Sequence, residues 1–169
     1  MSQHFTLFQL EPAFDIDTAA LEQTYRRLAA RFHPDRHAAA SAFEQKQAMM
    51  MASAVNEAYR ILKNPIDRAA YLLEQHNIHA DSPEHTSFPP EFLMQQMEWR
   101  ETLEEARAQN NQAALRALEA DIQAEQNTLL SALQTAFKQT DYHNAANLVR
   151  PGRFLHKLRK ENVTYTHLT

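Results

Sequence analysis

A chain of 169 residues that contains a single glycine, Gly152, has few ways to reverse direction sharply. Tight hairpins, dinucleotide-binding turns and phosphate-cradling loops all need glycine where φ is positive or where backbone closely approaches a ligand. Sheets built from hairpins are thereby disfavoured, and so is most nucleotide-dependent catalysis. Cysteine is absent, which removes disulfides, thiolate metal sites, all-cysteine iron–sulfur ligation and cysteine nucleophiles, and fits a reducing compartment. The remaining composition, 44% hydrophobic and 22% charged, is that of a folded chain long enough to bury one or two cores. With a net charge of -4, nucleic acid or anionic lipid would have to be met by a local basic patch. The opening MSQHFTLFQLEPAF has no basic start followed by a long apolar run, and no later stretch nears the ~20 apolar residues of a membrane span. The chain is expected to be soluble and cytoplasmic, with no membrane partner.

Periodicity predicts an all-α protein. From Asp17-Thr18, where either residue can cap the first turn, Leu21, Tyr25, Leu28 and Phe32 recur at helical spacing until Pro34. The other face of that helix carries Arg26, Arg27 and Arg31. A second long helix from about Ser41 places Ala48, Ala52, Val55, Tyr59 and Leu62 on one stripe. Asn64-Pro65 closes it and opens the next helix, with Asn64 as cap, Pro65 in the first turn and Asp67 near the positive helix end. Residues 77–90 hold three of the seven prolines without periodicity and read as a linker between units 1–76 and 91–169. Beyond it, Gln109-Asn110-Asn111 and a turn near Thr140-Asp141 separate three helices, the pattern of a small antiparallel bundle.

Between the first two long helices stands His33-Pro34-Asp35-Arg36, an imidazole and a carboxylate held about a residue of fixed φ. It follows an Arg-bearing helix ending in Phe32 and precedes Ala58-Tyr59-Arg60-Ile61-Leu62-Lys63-Asn64-Pro65 and Arg68-Ala69-Ala70-Tyr71. Over residues 4–76 this resembles a J-domain, beginning with Phe5-Thr6-Leu7-Phe8-Gln9-Leu10 as its short opening helix. The resemblance implies docking on a DnaK-type chaperone and acceleration of its ATP hydrolysis, through His33, Pro34, Asp35, Arg26, Arg27, Arg31 and Arg36. His33 would be a contact, not a hydrolytic base. Tyr25 falls in the apolar stripe and fits core packing better than contact. Two departures from the family pattern stand out: Gln9 replaces a usual glycine, and Arg36 replaces a usual lysine, which keeps the charge and changes its shape. The Gly/Phe-rich linker and Cys-rich zinc modules of the DnaJ type are absent.

In the helix from about Glu91, Phe92, Trp99, Leu103 and Ala106 form a sufficient core stripe at 100° per residue. Leu93, Met94 and Met97 fall elsewhere, beside Glu98, Arg100 and Glu101. Such a second patch either meets another helix or serves a partner. Phe92-Leu93-Met94-Gln95-Gln96-Met97-Glu98, Tyr71-Leu72-Leu73 and Arg153-Phe154-Leu155-His156-Lys157-Leu158 extend the resemblance, over nearly the whole chain, to HscB, the J-type co-chaperone family of bacterial iron–sulfur assembly. It implies a C-terminal three-helix bundle that binds an IscU-type scaffold and delivers it to an HscA-type chaperone. Scaffold contacts would be Leu93, Met94, Met97 and Phe154, rimmed by Glu98, Arg100, Glu101 and Arg153. The place of Phe154 rests on the resemblance alone, since the residue also fits packing with Leu158. Pro151-Gly152 just before it is expected to interrupt the last helix.

Other function classes find weaker support. Nine histidines, among them the pairs His33/His37 and His76/His79, raise a metal site, but Pro34 breaks the first pair and no further ligand completes a set. No metal or cofactor is expected. Neither a metalloprotease helix, a nucleophile elbow nor a phosphate loop occurs, so an enzyme is not expected. Arg150, Arg153, Lys157, Arg159 and Lys160 could meet nucleic acid, yet they equally suit a solvated helix face, and Glu91–Glu105 is acidic. A J-protein presenting a different client through the same apolar patch is the nearest alternative.

Overall fold

Most of the helix starts fall where capping side chains stand. The structure, a computed structural model, describes residues 2–85 and 88–166. Its helices are α1 (Gln3–Leu7), α2 (Thr18–Arg31), α3 (Ala42–Lys63), α4 (Pro65–Glu74), α5 (Pro90–Ala108), α6 (Gln112–Lys138) and α7 (Tyr142–Thr166), with 3₁₀ turns at Pro34–His37 and Pro83–His85. No strand occurs among the described residues. Asp17 caps α2 by accepting from the Ala20 N–H at 3.1 Å, and Ser41 caps α3 by accepting from Glu44 at 3.2 Å. Asn64 accepts from both Ile66 and Asp67 at the start of α4, with Pro65 in the first turn. Asn111 and Asp141 do the same for α6 and α7 through Ala114 and Asn144. Each such cap is worth about 1 kcal/mol.

The chain divides into two compact units, up to Asn77 and from Ile78. Of the stretch 77–90 that composition marks as linker, Asn77 falls in the first unit, residues 86 and 87 lie outside the described residues, and the rest falls in the second unit, where Arg150 and Arg153 of α7 bond to Ser82 and Asp81. In the first unit, Phe5, Phe8, Phe14, Leu21, Val55, Leu62 and Leu73 form the core. Burying each such side chain contributes roughly 1.5–3 kcal/mol. Arg68 is buried among them, donating through Nε to the Phe14 carbonyl at 2.7 Å and through Nη1 to the Leu62 carbonyl at 2.6 Å, with its guanidinium 5.2 Å from the Phe14 ring centre. It therefore ties α4 to the segment before α2 and to the end of α3. Burial lowers its pKa from the ordinary arginine value, opposed by the charge of Asp15.

In the second unit, α5, α6 and α7 pack as a three-helix bundle whose most extensive pairing is α6 with α7. Its core takes Trp99, Leu103, Leu115, Leu118, Ile122, Leu133, Val149, Leu155 and Leu158. The expected break at Pro151-Gly152 does not occur: α7 runs through both residues, and both are buried. Proline in a helix interior loses one backbone bond and costs about 3 kcal/mol. Here packing along the bundle seam holds the segment helical in spite of that cost.

With its one glycine inside α7, the chain ends helices by other means. At the ends of α1, α5 and α6, Gln9, Asn110 and Thr140 adopt φ of 57°, 50° and 53°. Each is followed by a residue whose N–H reaches back to the last turn: Leu10 to the Phe5 carbonyl, Asn111 to Ala106, Asp141 to Ala136. This is the Schellman closure that glycine usually supplies. Asparagine tolerates left-handed φ, whereas β-branched threonine does so at a cost. Thr140→Gly should raise the unfolding free energy of the bundle by about 0.5–1 kcal/mol, the relief of left-handed strain less glycine's extra chain entropy. Trp99, the only tryptophan, lies in this unit and reports the transition by fluorescence. A higher urea midpoint at unchanged slope is expected, and a lower midpoint would contradict the strain assignment.

Candidate functional site

The loop after α2 is itself a capping structure. His33 has extended backbone and stands as the cap of the 3₁₀ turn Pro34–His37, with Pro34 in the first position. Its Nδ1 accepts from the Asp35 N–H at 3.2 Å and lies 3.7 Å from Asp35 Oδ2. With Nδ1 accepting, Nε2 is the ring nitrogen left to donate outward. The imidazole is thereby oriented beside a carboxylate that is 94% exposed. The turn thus presents one ring donor and one carboxylate to solvent, an arrangement suited to recognition of a polar partner surface.

Arg26, Arg27, Arg31 and Arg36 are all exposed, on α2 and on the turn itself. Arg26 pairs with Glu22 one turn away at 2.9 Å, an exposed contact worth only a few tenths of a kcal/mol. The Arg31 guanidinium lies 5.4 Å from the Phe32 ring centre. Tyr25 is half-buried, stacked on Tyr59 at 3.8 Å and 8°, and its hydroxyl donates to Asn56 Oδ1 at 2.9 Å. It packs α2 against α3, in agreement with its place in the apolar stripe.

Behind the loop lie two residues that sequence reasoning did not single out as its supports. His37 Nε2 donates to the Arg31 carbonyl at 3.0 Å, and Gln45 Nε2 donates to the carbonyls of His37 and Ala38 at 3.1 and 3.2 Å. The His33/His37 pair is therefore spent on backbone groups at Nδ1 of the first and Nε2 of the second. Among the described residues no three His, Asp or Glu side chains are placed to share a metal ion.

The second surface belongs to the bundle. Trp99, Leu103 and Ala106 are buried and Phe92 half-buried, while Leu93, Met94 and Met97 are 44%, 64% and 70% exposed. The two phases of α5 thus separate as their spacing predicts. A cavity of about 790 Å³ among α5, α6 and α7 is lined by Phe92, Gln96 and Trp99 but by none of these three exposed side chains. They form an open apolar surface, the form taken by protein contacts and not by enclosed small-molecule sites. Phe154 is 38% exposed on α7, and ring contacts lead from it through Phe88 at 6.2 Å to Phe92 at 5.5 Å, at the start of α5.

The four rim residues divide. Glu98 and Glu101 are exposed. Arg100 pairs with Glu161 at 2.7 Å and so joins α5 to α7, whereas Arg153 makes a two-pronged pair with Asp81 at 2.6 and 2.9 Å. Both arginines are committed within the unit, a role whose partners 61 and 72 residues away carry no local signal. Of the basic cluster on α7, Arg159 similarly meets Glu119 and Gln126.

Two family models match: a DnaJ domain over residues 3–71 and an HSCB C-terminal oligomerisation domain over residues 88–162. A co-chaperone protein HscB homolog from Neisseria meningitidis is 66% identical over 161 residues, spanning 95% of this chain and 97% of the relative. The solved chaperone HscB from Vibrio cholerae shares 37% identity and a TM-score of 0.82, with 95% of each chain covered. The crystal structure of human co-chaperone protein HscB superposes with a TM-score of 0.88 at 28% identity, over 98% of this chain and 83% of that one. A J-domain presenting His33-Pro34-Asp35, followed by a bundle matched by the HSCB model and by relatives along nearly its full length, places this chain in the HscB family of co-chaperones.

Proposed function

We propose that the chain acts in the cytoplasm as a co-chaperone of iron–sulfur cluster biogenesis, binding an IscU-type scaffold and delivering it to an HscA-type chaperone whose ATP hydrolysis it stimulates. The observation that carries this reading is the pairing, in one chain, of an exposed His33-Pro34-Asp35 turn beside an arginine face with a separate unit bearing Leu93, Met94 and Met97 in the open. The arginines steer an acidic surface of the ATPase toward α2, and the turn makes the contact that sets the hydrolysis rate. Leu93, Met94, Met97 and Phe154 bury against the scaffold, with methionine side chains adapting to its shape. Glu98 and Glu101, together with Arg100 and Arg153 in their internal pairs, form the polar rim. The chain contributes binding and coupling, while the chaperone hydrolyses ATP.

Calorimetric titration with purified IscU-type scaffold tests the client. Leu93→Ala/Met97→Ala removes two exposed anchors and should weaken capture by roughly tenfold or more, with the Trp99 unfolding transition nearly unchanged. Equal affinity in the variant would remove the patch assignment, and no binding by the unaltered chain would point to another client. His33→Gln is expected to keep scaffold affinity and lose most of the ATPase stimulation, measured as steady-state phosphate release. Unchanged stimulation would contradict the role of the turn.

A further inference from the structure

A 3₁₀ helix of four residues makes few backbone bonds of its own; at its two ends Arg36 N–H donates to the His33 carbonyl and Ala40 N–H to the His37 carbonyl, each at 3.0 Å. Packing does not complete the support. A pocket of about 250 Å³ lies against Pro34, walled by Phe32, His37, Gln45, Ala48 and Met49, so the side of the turn toward α3 is not filled by core side chains. What spans that gap is polar. His37 Nε2–H reaches back 3.0 Å to the carbonyl of Arg31, one of the last-turn acceptors of α2 that a helix leaves without an internal partner. Gln45, fixed in the first turn of α3 by its own N–H to the Ser41 carbonyl at 2.9 Å, donates its amide to the His37 and Ala38 carbonyls. The far end of the turn is thus strapped to both long helices, while His33 closes its near end.

We propose that His37 and Gln45 are positioning residues for the chaperone contact: their side-chain N–H groups fix the 3₁₀ turn between α2 and α3, and so set the angle at which His33 and Asp35 are presented. This rests on the reading of His33-Pro34-Asp35 as the ATPase-stimulating contact. The arginine face on α2 does not depend on the brace, so encounter with the chaperone survives its loss while the productive geometry does not.

The test is a titration of the purified DnaK-type chaperone's ATPase with the full-length chain, separating maximal stimulation from the concentration that gives half of it. Gln45→Glu keeps the shape but replaces the donor with a carboxylate facing two carbonyls, and His37→Leu removes the other donor. Each should lower maximal stimulation about three- to tenfold, the effect of losing one or two hydrogen bonds, with the half-maximal concentration changed less than twofold. His37→Gln restores a donor at the position of Nε2 and should recover most of the maximum, which a general loss of folding in the leucine variant would not allow. Full stimulation by both donor-less variants, alongside loss in His33→Gln, would overturn the brace and leave the turn's role intact. If the unaltered chain gives no stimulation, the reading beneath the proposal fails and the brace with it.

Discussion

Helix termination without glycine is the constraint on which both units depend. Each helix leaves several N–H and C=O groups unpaired at its ends, and a chain with one glycine closes many of them with side chains or with left-handed backbone at other residues. Asp17, Ser41, Asn64, Asn111 and Asp141 serve the starts, and Gln9, Asn110 and Thr140 take left-handed φ at three of the ends. The turn at Pro34–His37 uses the same device. His33 caps it through Nδ1, and Pro34 occupies the position where a missing N–H costs nothing. The imidazole that faces the proposed partner is therefore also the group that shapes its own loop.

What could be read from sequence follows from how local each cause is. The start of α4 at Asn64-Pro65 was legible because cap and first turn are neighbours, and the separation of Leu93, Met94 and Met97 from Trp99 and Leu103 because helical phase is a local property. The replacement of glycine by Gln9 was visible too, though only the structure gives its φ of 57°. The continuity of α7 through Pro151 was not legible. Local propensity argues for a break, and the opposing force is packing of α7 against α6, which the residue types around Pro151 do not reveal. Residues 78–85 were obscured in the same way, since composition reads as linker while Asp81 and Ser82 bond to α7.

The candidate site shows the same division. His33-Pro34-Asp35 and the arginine face were legible as a motif in its setting. His37 and Gln45 were not, because donation to backbone carbonyls six to eight residues away leaves no residue-type signature. Arg100 and Arg153 were visible as charges near an apolar patch, but each is paired within the unit, with Glu161 and Asp81, whereas Glu98 and Glu101 are exposed beside it. A partner that covers Leu93, Met94 and Met97 thus meets an acidic margin on α5.

Coupling is the centre of the proposed function, since a chain that only bound scaffold and a chain that only stimulated an ATPase would each need one of the two units. The most direct measurement is the steady-state ATPase rate of the HscA-type chaperone at subsaturating concentrations of chain, with and without IscU-type scaffold. Acting together, chain and scaffold should raise the rate above the sum of their separate effects. Rates that merely add would contradict the account.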